Sequence, residues 1–304
     1  MTSAAGGSAL FSYLWQVSLH SLVAAAVVFT WASHLGLPSG RSRRLLLALL
    51  LALPLVTALV PGRRGDVFRD RMAWFDSARL LELPVLGDVR VVHLALALFA
   101  AATAVTLWQE LGALRGRRRG DPELPVPEAV RLLVASLPQW ESCRVAVDPG
   151  GEIGVVTGGL PGRPWLALTR GALDRLSAAE LEAVVRHENA HWKDHRWLGS
   201  HLLFGFRIIQ CYNPLALWVF REYTIELEIA CDREAAAAVG PRPLARALLK
   251  VYEETDRRDS AARATLRKRV DTLRGRVRLD DAALPATVVA AAALLLLGCL
   301  PWIV

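Results

Sequence analysis

The stretch Arg186-His187-Glu188-Asn189-Ala190-His191-Trp192-Lys193-Asp194-His195 constrains this chain more than any other. His187 and His191 are four residues apart, a step that stacks two side chains on one face of an α-helix. Glu188 lies beside that face. His-Glu-x-x-His on a helix lets two imidazoles reach one Zn²⁺ while the glutamate addresses a bound water. The flanking sequence favours the helix. Ser177-Ala178-Ala179-Glu180 is a capping box, a serine N-cap with a glutamate three residues on. Leu181, Val184 and Val185 follow at helical spacing, and neither glycine nor proline occurs between 178 and 198.

Two histidines do not complete a catalytic centre, which usually takes three protein ligands and a water. His195 continues the series, but eight residues of straight helix rise about 12 Å. That is too far for His187 and His195 to share one ion. A third histidine near such a motif follows a glycine turn, and Trp192-Lys193-Asp194 offers none. His195 is then a neighbour of the site or a plain polar-face residue. The better candidate lies in ELEIACDREAAA, 226–237, which is alanine-rich and helical. Glu228 and Asp232 are four apart and share a face. A carboxylate from a second helix gives a His₂Glu set, and Asp232 can accept the free N–H of one histidine and fix its tautomer. A solvated acidic face competes with this reading, because Glu222, Glu226 and Glu234 crowd the same segment.

At 53% hydrophobic, with a mean hydropathy of +0.32, the chain is too apolar for an ordinary soluble enzyme. The excess sits in four runs, about 10–34, 45–60, 91–112 and 286–304, and about 20 apolar residues suffice to cross a bilayer. The expected class is an α+β membrane protein with four transmembrane helices and a zinc-dependent domain between the third and fourth. Its expected parts are a membrane domain at 1–115, a cytoplasmic domain at 116–285 and a last span at 286–304. Arg41, Arg43 and Arg44 follow the first run, Arg115 and Arg117–Arg119 follow the third, and RKRVDTLRGRVR precedes the fourth. These clusters put the N-terminus outside and the middle of the chain in the cytoplasm. The net charge of +7 is read as attraction to the lipid bilayer rather than to nucleic acid, since the basic clusters abut the apolar runs. Cys143, Cys211, Cys231 and Cys299 show no CxxC spacing and imply no disulfide framework.

The middle of the chain reads as mixed α and β. DPELPVPEAVRLLVASL is a turn and a short helix. RVAV, IGVV and WLALT are β-prone runs separated by DPGGE and GGLPGRP, which suggests a meander. Its last strand, 164–171, is expected to lead into the motif helix and to offer an edge for an extended peptide. Residues 200–222 read as two short helices broken near Arg207, Gln210 and Pro214. Residues 241–275 read as two amphipathic helices, the second strongly basic.

HENAHWKD, then CYNPLALWVFRE, then ELEIACDREA resemble the BlaR/MecR-type antirepressor metallopeptidases, bacterial membrane gluzincins with a cytoplasmic zinc domain. The Cys231-Asp232 pair and Asn213-Pro214 are particular to that pattern. The resemblance implies Glu228 as third zinc ligand, Asp232 as its supporting residue, and a cytoplasmic protein substrate of the transcriptional-repressor type, with self-cleavage. The β-lactam sensors of that family carry a penicillin-binding domain after the fourth span, and this chain stops at Val304. Peptide hydrolysis assigns Glu188 as the base that moves the proton. Tyr223, Arg233 and His195 are candidates for oxyanion or substrate contacts. Two rival readings stay open: a membrane quality-control protease of HtpX type, and a signal transducer whose zinc is structural. A second copy of the chain is a further candidate partner.

Overall fold

Burial alternates through Arg163–Thr169, with Pro164, Leu166 and Leu168 buried between more exposed neighbours, and this strand organises the folded core around the motif. The computed structural model describes residues 40–58, 83–91, 124–138, 140–160, 163–193, 196–254 and 260–275, with scattered positions at 13–25 and 93–104. The elements are α1 (Arg41–Thr57), β1 (Pro84–Leu86), β2 (Val89–Arg90), α2 (Glu128–Ala135), β3 (Arg144–Asp148), β4 (Val155–Leu160), β5 (Arg163–Thr169), α3 (Arg170–Arg175), α4 (Ala178–Ala190), α5 (Arg196–Ile209), α6 (Pro214–Val239), α7 (Pro241–Glu254) and α8 (Ser260–Leu273).

The chain divides into two compact units. One comprises Met1–Gly116, Leu202–Tyr223 and Asp280–Val304; the other comprises Arg117–His201 and Thr224–Leu279. In the first, α1 buries Leu46, Leu47, Leu50, Leu51 and Leu53 against Ala24, Leu203, Ala216 and Val219. The Gln210 side chain donates to the Leu51 carbonyl at 2.8 Å, and Arg43 pairs with Glu222 at 3.3 Å.

The second unit holds a three-stranded sheet in the order β3-β5-β4. β5 runs parallel to β3, with Val145 opposite Leu166, and antiparallel to β4, with Thr157 also opposite Leu166. The sheet is therefore not the expected meander, and 164–171 is not an edge. Leu166 and Leu168 are both fully buried, as in a central strand covered on its face, each worth about 1.5–3 kcal/mol of apolar burial. Both β3 and β4 are edge strands; the outer side of β3 takes the Leu124 N–H on its Val147 carbonyl at 3.0 Å, and β4 is the edge that meets the motif helix. The one-turn helix α3 also intervenes before the motif helix. Its second residue is Gly171, where a Cβ would lie 2.2 Å from the Gly151 carbonyl oxygen, so only glycine permits that close passage.

The motif helix α4 is held from both sides. Val185 packs with Trp140, Leu166 and Leu168, while Ala183 packs with Ala235, Leu244, Leu248 and Val270 of α6, α7 and α8. Its start is the expected capping box. Glu180 N–H donates to Ser177 Oγ at 3.4 Å, and Ser177 N–H donates to Glu180 Oε2 at 2.9 Å. Lys250 of α7 adds an ion pair to the same oxygen at 2.7 Å.

The expected four transmembrane helices are not what forms. Among the described residues no helix is long and apolar enough to cross a membrane. α1 shows why. Its 17 residues rise about 26 Å, short of a hydrocarbon core of about 30 Å. Its first turn carries Arg41, Arg43 and Arg44, and Pro54 interrupts its end. α6 is long enough, at 26 residues, but carries Arg221, Glu222, Glu226, Glu228, Asp232, Arg233 and Glu234. The runs 10–34 and 91–112 are described only at scattered positions, and 286–304 lies outside the described residues.

Burial alone would raise the Glu180 carboxyl, but the hydrogen bond and charge of Lys250 and the Ser177 contacts bring it below its ordinary value. Its contribution is thus present above the unfolded pKa and fades as pH falls through the folded one. Glu180→Ala should cost about 1–2 kcal/mol in denaturant unfolding at neutral pH. The gap to wild type should narrow in acid.

Candidate metal centre

Asn213 accepts the Leu215 N–H through its side chain at 3.1 Å and Pro214 follows, so α6 starts on a side-chain cap with proline at its first position. It ends at Gly240, whose φ of 85° is left-handed and whose N–H returns to the Ala236 carbonyl at 2.8 Å. ELEIACDREA therefore belongs to one continuous helix that begins at Pro214, not to a separate one. In the second half of this helix, Glu228 and Asp232 face α4.

His187 Nε2 lies 3.3 Å from His191 Nε2 and 3.3 Å from Glu228 Oε2, and His191 Nε2 lies 3.5 Å from Glu228 Oε1. Among the described residues these three form the group whose ligand atoms converge. The spacing tests the expected ion. Four-coordinate zinc with bonds of about 2.05 Å separates its ligand atoms by about 3.3 Å. His187 Nε2 meets one Glu228 oxygen and His191 Nε2 the other at separations of about that size, so the residues fit Zn²⁺. His187 Nδ1 faces Asp232 Oδ1 at 2.8 Å, which leaves Nε2 as the atom turned to the centre. Behind His191, Nδ1 meets the buried Cys231 sulfur at 3.6 Å; burial pushes that thiol up to about 12, so it stays protonated.

Electrostatics separates the members. Burial lowers His191, the positive charges of His187 and Arg269 lower it further, and it falls to about 4, so the ring is neutral with a lone pair to give. Burial also acts to lower His187, but hydrogen bonding and charge from Asp232, with help from Glu228, lift it to about 10; its proton has to leave before a metal binds. Burial would raise Glu228, yet His187 and Arg269 hold it well below the usual carboxylate range. Glu188 is pushed up to about 7, first by burial and then by the Glu228 charge, against the pull of His187 and Arg269. The Thr157 backbone N–H of β4 donates to this carboxylate, and Trp192 Nε1 donates to Thr157 Oγ1 at 2.8 Å. Glu188 thus stands between the His187–His191–Glu228 group and β4.

Of the other candidates, Tyr223 packs against the leucine core of α1. Arg233 is half-buried on α6, about 100° round the helix from Asp232. His195 lies outside the described residues.

Arg269 is the site residue that sequence reasoning missed. Its Nε and Nη2 each lie 2.7 Å from an Asp232 oxygen, and Nη1 lies 3.0 Å from Glu228 Oε2. A signal existed. Leu266, Val270 and Leu273 form the apolar face of α8, and Arg269 falls on that face rather than the solvated one. RKRVDTLRGRVR was explained as a basic cluster beside a membrane, and that explanation hid the inward arginine.

Residues 91–279, more than half of the chain, match the BlaR1 peptidase M56 family, and the chain belongs to it. Among curated proteins, the regulatory protein BlaR1 of Bacillus licheniformis is 33% identical over 70 residues. That match spans 23% of this chain and 12% of that protein.

Purified protein should bind one zinc per chain by metal analysis. Glu228→Ala should remove most of it, and Asp232→Ala should weaken binding by roughly 10–100-fold. Full zinc retention by Glu228→Ala would exclude the His187–His191–Glu228 set.

Proposed function

We propose that the chain is a zinc-dependent metalloendopeptidase acting in regulation at a bacterial cell membrane, with a cytoplasmic protein of the transcriptional-repressor type as substrate and its own chain as a second one. The observation that carries this reading is the meeting of His187, His191 and Glu228 at 3.3, 3.3 and 3.5 Å with Glu188 beside them. A structural site has no use for a carboxylate raised to about 7 next to its ligands. Membership of a peptidase family supports peptide hydrolysis. The regulatory role rests on the name of the Bacillus relative, and the membrane location on the apolar runs and their basic flanks.

His187, His191 and Glu228 would hold the ion, which supplies Lewis acidity when bound. Asp232 fixes the His187 ring. Glu188, poised near neutrality, takes a proton from the attacking water and returns it to the leaving amine nitrogen. β4 lies beside Glu188 with its free side available to an extended peptide, which would add as a further strand by backbone hydrogen bonds. Such pairing holds the scissile bond without demanding a particular side chain, so selectivity falls to pockets along the strand.

Glu188→Gln should keep its zinc and lose cleavage of a co-expressed repressor and of itself, by at least about 100-fold in rate, the scale of a lost general base. Wild-type cleavage or wild-type signalling by this variant would leave zinc with a structural role and remove hydrolysis from the function.

A further inference from the structure

Arg269 is placed where a metal-binding cradle would not be expected to hold a positive charge. Its side chain is 11% exposed and that of Asp232 is 1% exposed. The guanidinium grips both Asp232 oxygens at 2.7 Å and reaches Glu228 Oε2 at 3.0 Å. Its Nη2 also stands 3.4 Å from His187 Nε2. Two of the three atoms that would hold the ion are therefore already faced by a permanent cation.

We propose that Arg269 is the internal counter-cation of the site: it keeps Glu228 and Asp232 in place and sets a ceiling on affinity for a divalent ion, so that metal loading depends on the seating of α8. The inference rests on the metal-site reading above. Two effects of removing the arginine oppose each other. Losing an orienting partner of a ligand weakens metal binding, roughly 10–100-fold in direct cases. Here that effect is reduced, because the Asp232 contact to His187 Nδ1 at 2.8 Å does not run through Arg269. Losing a fixed charge strengthens binding. Even at the dielectric of water, charges of one and two separated by about 5 Å repel enough to change affinity by roughly tenfold, and a site this enclosed screens less. Repulsion wins, so neutralising Arg269 tightens the site. It also leaves buried Asp232 without its guanidinium, a cost that a bound ion offsets and a chelator exposes.

The test is a Co²⁺ titration against a competing chelator, read by visible absorption, on full-length protein carrying Glu188→Gln to stop proteolysis. Melting is followed in parallel in EDTA and in saturating Co²⁺. Arg269→Gln should bind Co²⁺ about tenfold tighter or more, melt lower in EDTA, and gain more from Co²⁺ than the parent does. Arg269→Lys keeps the charge without the two-pronged grip; it should melt lower in EDTA while its dissociation constant stays within about threefold of the parent. Equal or weaker binding by a folded Arg269→Gln would overturn the proposal and make the arginine purely an orienting group. If Arg269→Gln folds in neither condition, Arg269→Lys decides: unchanged affinity with reduced melting in EDTA supports the proposal, and a change of about tenfold in either direction overturns it. A parent protein that binds no Co²⁺ would instead overturn the metal-site reading itself.

Discussion

The contact between His187 Nδ1 and Asp232 Oδ1, 2.8 Å long, ties the motif helix to α6, and the geometry of the site follows from it. It turns the His187 ring so that Nε2 faces His191 and Glu228. It requires α4 and α6 to approach closely, which Ala183 and Ala235 allow by packing small side chains at the crossing. It also buries a carboxylate, and a buried carboxylate needs a partner of opposite charge. Arg269 meets that need from α8. Three helices distant in sequence are thereby fixed around one imidazole, while the sheet supports α4 from the other side through Val185, Leu166 and Leu168.

What was legible in the sequence was local. The capping box of α4, the four-residue steps of His187/His191 and Glu228/Asp232, and the paired helices of 241–275 each depend on contacts within a few turns, and spacing reveals such contacts. The strand order was not legible. WLALT is a continuous apolar run, which cannot distinguish an edge from a centre, and its direct pairing with β3 skips β4, the strand that precedes it in sequence. Arg269 was not legible as a partner of Asp232, 37 residues away, because a basic run has a simpler explanation at the surface. The spans illustrate the same limit from the other side. The run 45–60 reads as a span with arginines at its flank, but a helix has to be both long and uncharged, and the three arginines that open α1 are part of the helix rather than its flank.

Membership of a peptidase family and the convergence of the histidines with Glu228 are independent observations, one from the whole pattern of 91–279 and one from side-chain positions. Both point to a metallopeptidase. The tether of the motif's far end bears on how rigid the site is. Arg196 caps the Ala190 carbonyl at 3.2 Å and pairs with Glu234 at 3.0 Å, and Lys193 shares that same glutamate at 2.8 Å. The last turn of α4, with His191 in it, is thus held to α6 beyond the ligands as well as at them.

The division of labour between Glu188 and Glu228 follows from surroundings rather than residue type. Both are glutamates beside the same two histidines. Glu228 lies against His187 and Arg269, which hold it ionised far below neutrality, so it is always an anion and suited to bind a cation. Glu188 is enclosed without a guanidinium contact of its own and carries the repulsion of Glu228, which leaves it near 7, where a carboxyl group can both accept and return a proton. The two are coupled: the charge held on Glu228 is one of the reasons the Glu188 carboxyl lies above its ordinary value. A bound divalent ion would draw Glu188 downward as well, adding to the pull of His187 and Arg269 against the push of burial and of Glu228.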